Sequence, residues 1–330
     1  MKRRVQSKSA MRRLAANPGG SDNSRLRASG PRRGERAIYW ALAGCAGLSI
    51  VTTTAIVISL LIPSLQFFGE VPLGDFLFGT DWSPTINPHS FGVLAIVAGT
   101  FSVTLWALLF AVPVGLGVAI YLSEYASRRR RRLLKPLVEL LAGVPTVAFG
   151  FFALSFLTPL IQGIWPGFLG DEPGVFSVAS AGLAIGLMIV PMIASVSEDA
   201  MRAVPNALRE GAYALGATRA RVATRVVFPA ALSGIVAAII LAISRTVGET
   251  MIVLIAAGNT PNENIFKSFN PVESIQAMTG FIGSIATGDL ATGSLEYKTV
   301  FAVALLLFVM TLAMNAVSIR LVNRYREVYE

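Results

Sequence analysis

Six long stretches without a charged residue limit what this chain can fold into. They occupy 37–69, 82–123, 140–170, 173–197, 226–244 and 299–319. A membrane-spanning helix needs about 20 predominantly apolar residues, and each stretch approaches or exceeds that length. Only 14% of the 330 residues are charged, whereas soluble proteins have about 25%. The chain is therefore predicted to be an all-α membrane protein with six transmembrane helices.

The positions where charges resume set the expected limits of each span. One domain is expected over 38–325, with spans at about 38–62, 93–120, 138–160, 175–196, 231–257 and 299–322. The fifth span is expected to continue through two charges, because 250–262 is too short to cross a membrane alone. Cys45 and His89 are the only cysteine and histidine, which excludes an internal disulfide and an all-protein zinc site.

Basic residues are concentrated in alternate segments between the spans. Of the 28 Lys and Arg residues, 11 lie in 1–37, 6 in 121–136, 5 in 197–231 and 3 in 320–330. Cytoplasmic loops retain basic residues, whereas translocated loops are depleted in them. Both termini of a multi-pass protein of the cell (inner or plasma) membrane are therefore expected in the cytoplasm. Membrane topology accounts for the net charge of +9, so no nucleic-acid partner is expected.

The N-terminal segment has a different composition from the rest of the chain. Residues 1–37 are rich in Arg, Ser, Gly and Pro and poor in large apolar residues. Such a segment buries too little apolar surface to order itself, so we expect a disordered basic cytoplasmic tail. A cleaved signal peptide is the alternative, but the apolar run 37–69 is longer than a typical signal-peptide core.

The fifth span carries a short polar patch. Arg245 and Glu249 are four residues apart, on one helical face, and Thr246 and Thr250 lie beside them. A charged residue within a spanning helix is unfavourable and usually faces a cavity or a partner. Two interpretations remain open: a self-neutralising structural ion pair, or an anion site in which Glu249 orients the arginine fork and limits trapping of the anion.

The segment between the fourth and fifth expected spans, 197–230, is predicted to be helical and amphipathic. Pro205 suits a first helical turn, and apolar residues recur at helical spacing between arginines until Gly216 interrupts the pattern. One interpretation is a helix that lies on anionic lipid. The other is a docking element for a soluble partner, which would need the same amphipathic helix followed by a turn.

This segment resembles the EAA loop of permease subunits of ABC importers, in which E-A-A is followed at fixed spacing by Gly, Ile and Leu-Pro. The corresponding residues here are Glu210, Gly211, Ala212, Gly216, Val226, Phe228 and Pro229. Gly211 departs from the family's alanine, which weakens the local helix. The resemblance implies that these seven residues dock an ATPase subunit.

Four further stretches resemble the phosphate importer permeases of the PstC type. They are GDFLFGTDWSP with SFG in the first outer loop, LAGVPTVAFGFFAL, VPMIASVSEDAMRAVP and ISRTVGETMIV. The resemblance implies a type I (MetI-like) importer permease fold and a translocation pathway for phosphate that contains Arg245, Glu249, Thr246 and Thr250. It also implies three kinds of protein partner: a PstA-type permease, two copies of an ATP-binding subunit and an external phosphate-binding protein. Membrane lipid is a further expected partner, because the arginine run 128–132 directly follows a span.

The chain has no Gly-rich nucleotide loop of the GxxxxGK[ST] kind and no GxSxG elbow. We therefore expect a non-catalytic subunit without a cofactor of its own, with ATP and Mg²⁺ bound by the partner ATPase. A permease for another oxyanion, sulfate or molybdate, is the nearest alternative. A secondary anion transporter and a non-transporting receptor or scaffold are the alternatives from other classes.

Overall fold

A computed structural model describes residues 33–167, 171–261, 264–288, 291 and 293–325, with side chains from Gly34 to Arg320. Within this part of the chain, five helices are long and apolar enough to cross a membrane. A sixth span is reached when Arg219–Ala230 and Leu232–Val247, which meet at 72°, are counted together. The helical, membrane-spanning architecture expected from the uncharged stretches is confirmed.

The spans are numbered here in chain order. Span 1 is Arg33–Glu70, span 2 is Leu94–Ile120 with a π-helical end at Tyr121–Tyr125, and span 3 is Thr146–Ile164, whose middle turn, Ala153–Leu157, is also π-helical. Span 4 is Val178–Ala203, span 5 is Leu232–Val247 followed by the short helix Met251–Ala256, and span 6 is Leu295–Tyr325.

Shorter elements connect the spans. On one side lie the helix Leu73–Phe78, a two-stranded antiparallel hairpin that pairs Trp82–Ser83 with Ser90–Phe91, the 3₁₀ turn Lys267–Phe269 and the helix Met278–Ala286. On the other side lie two helices, the basic helix and the loop helix. The basic helix is Arg128–Ala142, and the loop helix is Asn206–Ala214; Arg219–Val222, the π turn Ala223–Val227 and Phe228–Ala230 then lead into span 5.

Several boundaries differ from the expected ones: span 1 ends at Glu70 instead of 62, span 4 ends at Ala203 instead of 196, and three further differences have a local cause. Span 1 begins at Arg33, within the segment expected to be a disordered tail, and residues 1–32 of that tail lie outside the described residues. The third span begins at Thr146 instead of 138, because Gly143 and Pro145 end the basic helix before it. The fifth span is interrupted at Gly248, Glu249 and Thr250, where a continuous helix was expected.

The contacts divide the chain after Ile56. The first unit contains the described part of span 1 up to that residue, and its side chains are exposed. In the second unit, span 4 is the most buried of the long spans, and its glycines allow span 2 to approach closely. A Cβ atom on Gly182 would lie 2.8 Å from Trp106 Cβ, and one on Gly186 would lie 2.9 Å from Phe110 Cδ1. Small residues at such crossings let helix backbones pack tightly in membranes.

Two further apolar clusters close opposite ends of the second unit. One joins Phe67, Phe76 and Trp82 to the helix Met278–Ala286 and span 6. The other joins Met201, Val204 and Val222 to the ends of spans 2 and 5. The second cluster lies beneath the loop helix, so the structure fixes that helix against three spans.

Candidate functional site

The break in span 5 separates Leu232–Val247 from the short helix Met251–Ala256. Glu249 is buried in this break, and its Oε1 accepts hydrogen bonds from the backbone N–H groups of Met251 at 3.1 Å and Ile252 at 3.3 Å. These are unpaired donors at the start of a helix, and a carboxylate there also meets the positive end of the helix dipole. Glu249 therefore caps the short helix.

Arg245 lies one turn before the break and is exposed. Its Nη2 is 3.9 Å from Met188 Sδ of span 4, and within the described part of the chain no carboxylate lies within 4 Å of it. The expectation that Glu249 orients Arg245 is therefore wrong, because the Glu249 carboxylate points to the amides of the next helix. The guanidinium group remains available to another anion.

The two threonines of the patch are held by the backbone. Thr246 is buried, and its hydroxyl donates to the carbonyl of Ala242 at 2.8 Å, whereas the hydroxyl of Thr250 donates to the carbonyl of Gly248 at 3.5 Å. The break is further fixed by Thr279, whose hydroxyl donates to the carbonyl of Glu249 at 2.7 Å. Thr279 was not identified from the sequence, because it lies 30 residues away in a segment without a spanning pattern.

The loop helix ends in a Schellman motif at Gly216. This glycine has φ of +77°, its N–H donates to the carbonyl of Tyr213 at 2.9 Å, and the N–H of Ala217 donates to the carbonyl of Ala212 at 3.1 Å. The interruption that the sequence places at Gly216 is therefore a sharp turn between two helices, Asn206–Ala214 and Arg219–Val222. Glycine is favoured here because residues with a Cβ atom disfavour this backbone conformation.

The seven residues of the predicted docking motif divide into two groups. Ala212, Val226 and Phe228 are partly buried against the apolar cluster beneath the loop helix. The exposed members are Glu210, Gly211, Gly216 and Pro229.

The exposed surface of the loop helix also includes apolar residues outside the motif. Leu208 and Tyr213 are both 40% exposed, and Leu215 is 91% exposed. The motif therefore combines residues that anchor the loop with residues that face outward.

Arg209 joins the loop helix to the ends of two spans. Its Nη1 donates to the carbonyl of Val204 at 2.6 Å, its Nη2 donates to the carbonyl of Met201 at 2.7 Å, and the same Nη2 is 3.1 Å from Glu124 Oε1. The Arg209 and Glu124 side chains are 14% and 5% exposed. Sequence analysis missed this pair, because its members are 85 residues apart and Arg209 counted only as a basic residue of a loop.

A second ion-pair cluster holds the basic helix against span 4. The buried carboxylate of Glu198 contacts Arg131 Nε at 2.7 Å and Lys135 Nζ at 2.8 Å, and Asp199 contacts Lys135 at 2.7 Å. Partial burial lowers the pKa of Lys135, but its hydrogen bonds to Asp199 and Glu198 outweigh that effect and leave the pKa raised. The cluster fixes the basic helix to the same end of the bundle as the loop helix.

No metal site accompanies these features in the residues that the structure describes: no three His, Cys, Asp or Glu side chains form a group suited to a metal ion. What the described site offers an anion is a single exposed guanidinium beside a broken span. At the end of the bundle, it offers a protein partner a rigidly held helix with exposed Leu208, Tyr213 and Leu215.

Known proteins resemble this chain over most of its length. It is 34% identical over 273 residues to the probable ABC transporter permease protein YqgH of Bacillus subtilis, covering 82% of this chain and 85% of that protein. It is 35% identical over 299 residues to the phosphate transport system permease protein PstC of Mesorhizobium japonicum, covering 86% and 88%. PstC of Haemophilus influenzae is 34% identical over 284 residues, covering 80% and 85%.

Solved structures share the fold at low sequence identity. A chain of a bacterial alginate ABC transporter superposes with a TM-score of 0.58 at 16% identity, covering 84% of this chain and 92% of that one. A chain of the MetNI methionine ABC transporter gives 0.51 at 20% identity, covering 72% and 95%. The family model described as "Binding-protein-dependent transport system inner membrane component" matches residues 111–327. The chain belongs to this family of ABC importer permeases, and several of its relatives are phosphate permeases of the PstC type.

Proposed function

We propose that the chain is the membrane-spanning permease subunit of an ATP-driven importer of inorganic phosphate. The observation that supports this most directly is Arg245, an exposed guanidinium in a spanning segment without a carboxylate partner among the described residues. The named PstC relatives are phosphate transport permeases, which supports the choice of anion. Sulfate and molybdate remain the competing oxyanions.

The electrostatics of the break favour transient binding of an anion. An arginine at the centre of a membrane helix is unfavourable by about 2.5 to 3.5 kcal/mol on insertion scales, so it must meet water, a partner or a ligand. The Glu249 carboxylate is engaged by two backbone amides and does not neutralise Arg245. Its negative charge nearby still weakens the attraction of an anion to Arg245, which aids release.

The proposed pathway lies between this chain and a second permease of the PstA type. An exposed Arg245 fits that arrangement, because a pathway formed by two subunits leaves each subunit's lining uncovered in the isolated chain. An external phosphate-binding protein would deliver the anion, and two copies of an ATP-binding subunit would hold ATP and Mg²⁺.

Coupling is proposed to pass through the loop helix at the cytoplasmic end of the bundle, with both termini in the cytoplasm of a cell-membrane complex. Closure of the ATPases would push on Leu208, Tyr213 and Leu215. The Arg209–Glu124 pair and the apolar packing of Val226 and Phe228 give this push a rigid connection to spans 2, 4 and 5. The outward-facing residues of the docking motif, including Glu210, would contact the ATPase subunit.

The test is phosphate-stimulated ATP hydrolysis and phosphate uptake by the reconstituted complex with its binding protein. Arg245→Ala is expected to abolish uptake while the complex still assembles, and Arg245→Lys is expected to retain part of it, because lysine keeps the charge but loses the planar fork. Arg320→Ala is the matched control, since Arg320 is an exposed arginine of span 6 outside the proposed site and the docking segment.

Normal uptake by Arg245→Ala would show that the polar patch is structural and would remove the proposed site. Uptake of sulfate or molybdate in preference to phosphate by the unaltered complex would replace the anion but keep the site. Proline cannot adopt the φ of +77° found at Gly216. Gly216→Pro is therefore expected to leave ATP hydrolysis no longer coupled to phosphate uptake. Unchanged coupling in that variant would contradict the docking role of the loop.

A further inference from the structure

The helix Met278–Ala286, the clamp helix, packs against the break in span 5. A Cβ atom on Gly283 would lie 3.1 Å from Thr250 Cγ2, and one on Gly280 would lie 3.6 Å from Val253 Cγ1. The two glycines are three residues apart and so lie on one face of the clamp helix. Small residues on this face let the clamp helix approach the break closely.

A buried hydrogen bond joins the clamp helix to the break. The hydroxyl of Thr279 donates to the backbone carbonyl of Glu249 at 2.7 Å. Thr279 is 4% exposed and Glu249 is 7% exposed. A buried carbonyl without a donor is unfavourable. The hydroxyl of Thr279 therefore stabilises the backbone of the break in the conformation observed.

The N-terminus of the clamp helix is held by span 2. The N–H of Met278 donates to the hydroxyl oxygen of Thr100 at 3.0 Å, and this hydroxyl donates to the carbonyl of Ile96 at 2.9 Å. The neighbouring Gly99 leaves no room for a side chain, because a Cβ atom there would meet the carbonyl oxygen of Gln276. The start of the clamp helix therefore rests directly on the backbone of span 2.

Span 2 connects the clamp helix to the opposite end of the bundle. The helix runs from Leu94 to Tyr125, and Glu124 near its end pairs with Arg209 of the loop helix at 3.1 Å. At a rise of about 1.5 Å per residue, Thr100 and Glu124 are about 36 Å apart along the helix, which exceeds the roughly 30 Å of a bilayer core. One helix thus links the loop helix to the clamp helix across the membrane.

We propose that Thr279 is a positioning residue that transmits movement of span 2 to the break in span 5 and so sets the position of Arg245. Two hydrogen bonds act in series: Thr100 joins span 2 to the clamp helix, and Thr279 joins the clamp helix to the break. Loss of either hydroxyl interrupts the same contiguous connection. The inference rests on the proposed function, because it concerns how ATP hydrolysis moves the arginine that meets the anion.

The experiment measures the ratio of phosphate uptake to ATP hydrolysis by the reconstituted complex with its binding protein. Thr279→Val keeps the shape of the side chain and removes the hydroxyl. The ratio is expected to fall about tenfold, the effect of losing one buried hydrogen bond. The half-saturating concentration of the loaded binding protein is expected not to change, because Thr279 is buried. Thr279→Ser, which keeps the hydroxyl, is expected to restore the ratio.

The matched control is Thr104→Val. Thr104 is 5% exposed, and its hydroxyl donates within its own helix, to the carbonyl of Thr100 at 2.8 Å. The same chemical change at the same burial therefore breaks no bond between segments, and a normal ratio is expected. A variant that only loses stability lowers uptake and hydrolysis together, which leaves their ratio unchanged.

Thr100→Val tests the other bond of the series and carries the test if Thr279→Val does not assemble. It is expected to lower the ratio by the same factor, about tenfold. The double variant is expected to fall no further than either single variant, because the two bonds lie in series. Normal ratios in both single variants, or losses that multiply in the double variant, would overturn the proposal.

Hydrogen exchange of the complex tests the position of the break without transport. The N–H groups of Met251 and Ile252 are held by the Glu249 carboxylate, so their exchange reports on the break. Exchange in 248–256 is expected to be faster in Thr279→Val than in Thr104→Val, and equal rates would overturn the proposal. Faster exchange, combined with an unaltered complex that imports no phosphate, would support the positioning role of Thr279 and refute the proposed function instead.

Discussion

The Arg209–Glu124 pair gives the sharpest test of how the loop helix is attached to the bundle. In Arg209→Ala the buried Glu124 carboxylate loses its guanidinium partner and keeps only the hydroxyl of Ser123, at 2.8 Å. Removing one partner of a buried ion pair typically reduces the free energy of unfolding by about 3 to 5 kcal/mol. The hydrogen bond from Ser123 places the expected loss near the lower end, at about 3 kcal/mol.

The assay is the free energy of unfolding of the solubilised complex, measured with denaturant, together with the ratio of uptake to ATP hydrolysis. Glu124→Gln is expected to lose less than Arg209→Ala, because Arg209 keeps its bonds to the carbonyls of Met201 and Val204. The double variant is expected to recover roughly 1 to 3 kcal/mol relative to the sum of the single changes, since the unpaired buried charge is gone.

Arg219→Ala is the control, because Arg219 is an exposed arginine of the same segment. If Arg209→Ala destabilised no more than this control, or if the two single changes simply added, the pair would not connect the loop helix to the spans. A normal ratio of uptake to hydrolysis in Arg209→Ala would refute the mechanical role even if stability fell.

Further predictions concern the turn, the break and the basic helix. Gly216→Ala should lower the free energy of unfolding by about 1 kcal/mol, because alanine disfavours the φ of +77° at this position. Gly211→Ala should raise the free energy of unfolding by about 1 kcal/mol, because Gly211 lies in an exposed helix with open space around it. Denaturant melts of both variants test these two changes. Glu249→Ala should lose about 1 kcal/mol of capping, and Glu249→Gln should lose less because the amide oxygen can still accept; equal losses would contradict the cap. The pKa of Lys135 in the folded protein is raised from 10.5, so its ion pairs contribute their full stability below pH 10.5 and lose it as the pH rises through the folded-state pKa. The melting temperature should therefore fall at alkaline pH, and Lys135→Met should lack this part of the fall.

The spans could be predicted from the sequence because the membrane imposes a simple length and polarity rule on each helix. The rule failed where local backbone chemistry overrides hydropathy. The run 140–170 contains no charge, yet Gly143 and Pro145 divide it between an amphipathic surface helix and span 3. The fifth span was likewise predicted to continue as one helix past Glu249, because the sequence pattern does not reveal which hydrogen bonds a buried carboxylate makes.

The position of the candidate site could be predicted from the sequence, but the contacts among its side chains could not. Arg245 stood out because charge is rare in a spanning segment. Its relation to Glu249 could not be deduced, because i,i+4 spacing predicts contact only if the helix continues, and here it ends at Val247. Thr279 and Glu124 could not be found, since each acts on a residue far away in sequence.

The basic residues that the sequence assigns to topology fall into two groups in the structure. Arg131, Lys135 and Arg209 are committed to carboxylates and fix helices to one another. Arg128 and Arg132 have no acidic partner within 4 Å in the described part of the chain. A charge count alone treats these residues as equivalent. Substitutions in the first group should therefore reduce the free energy of unfolding, whereas those in the second should leave it close to that of the unaltered chain.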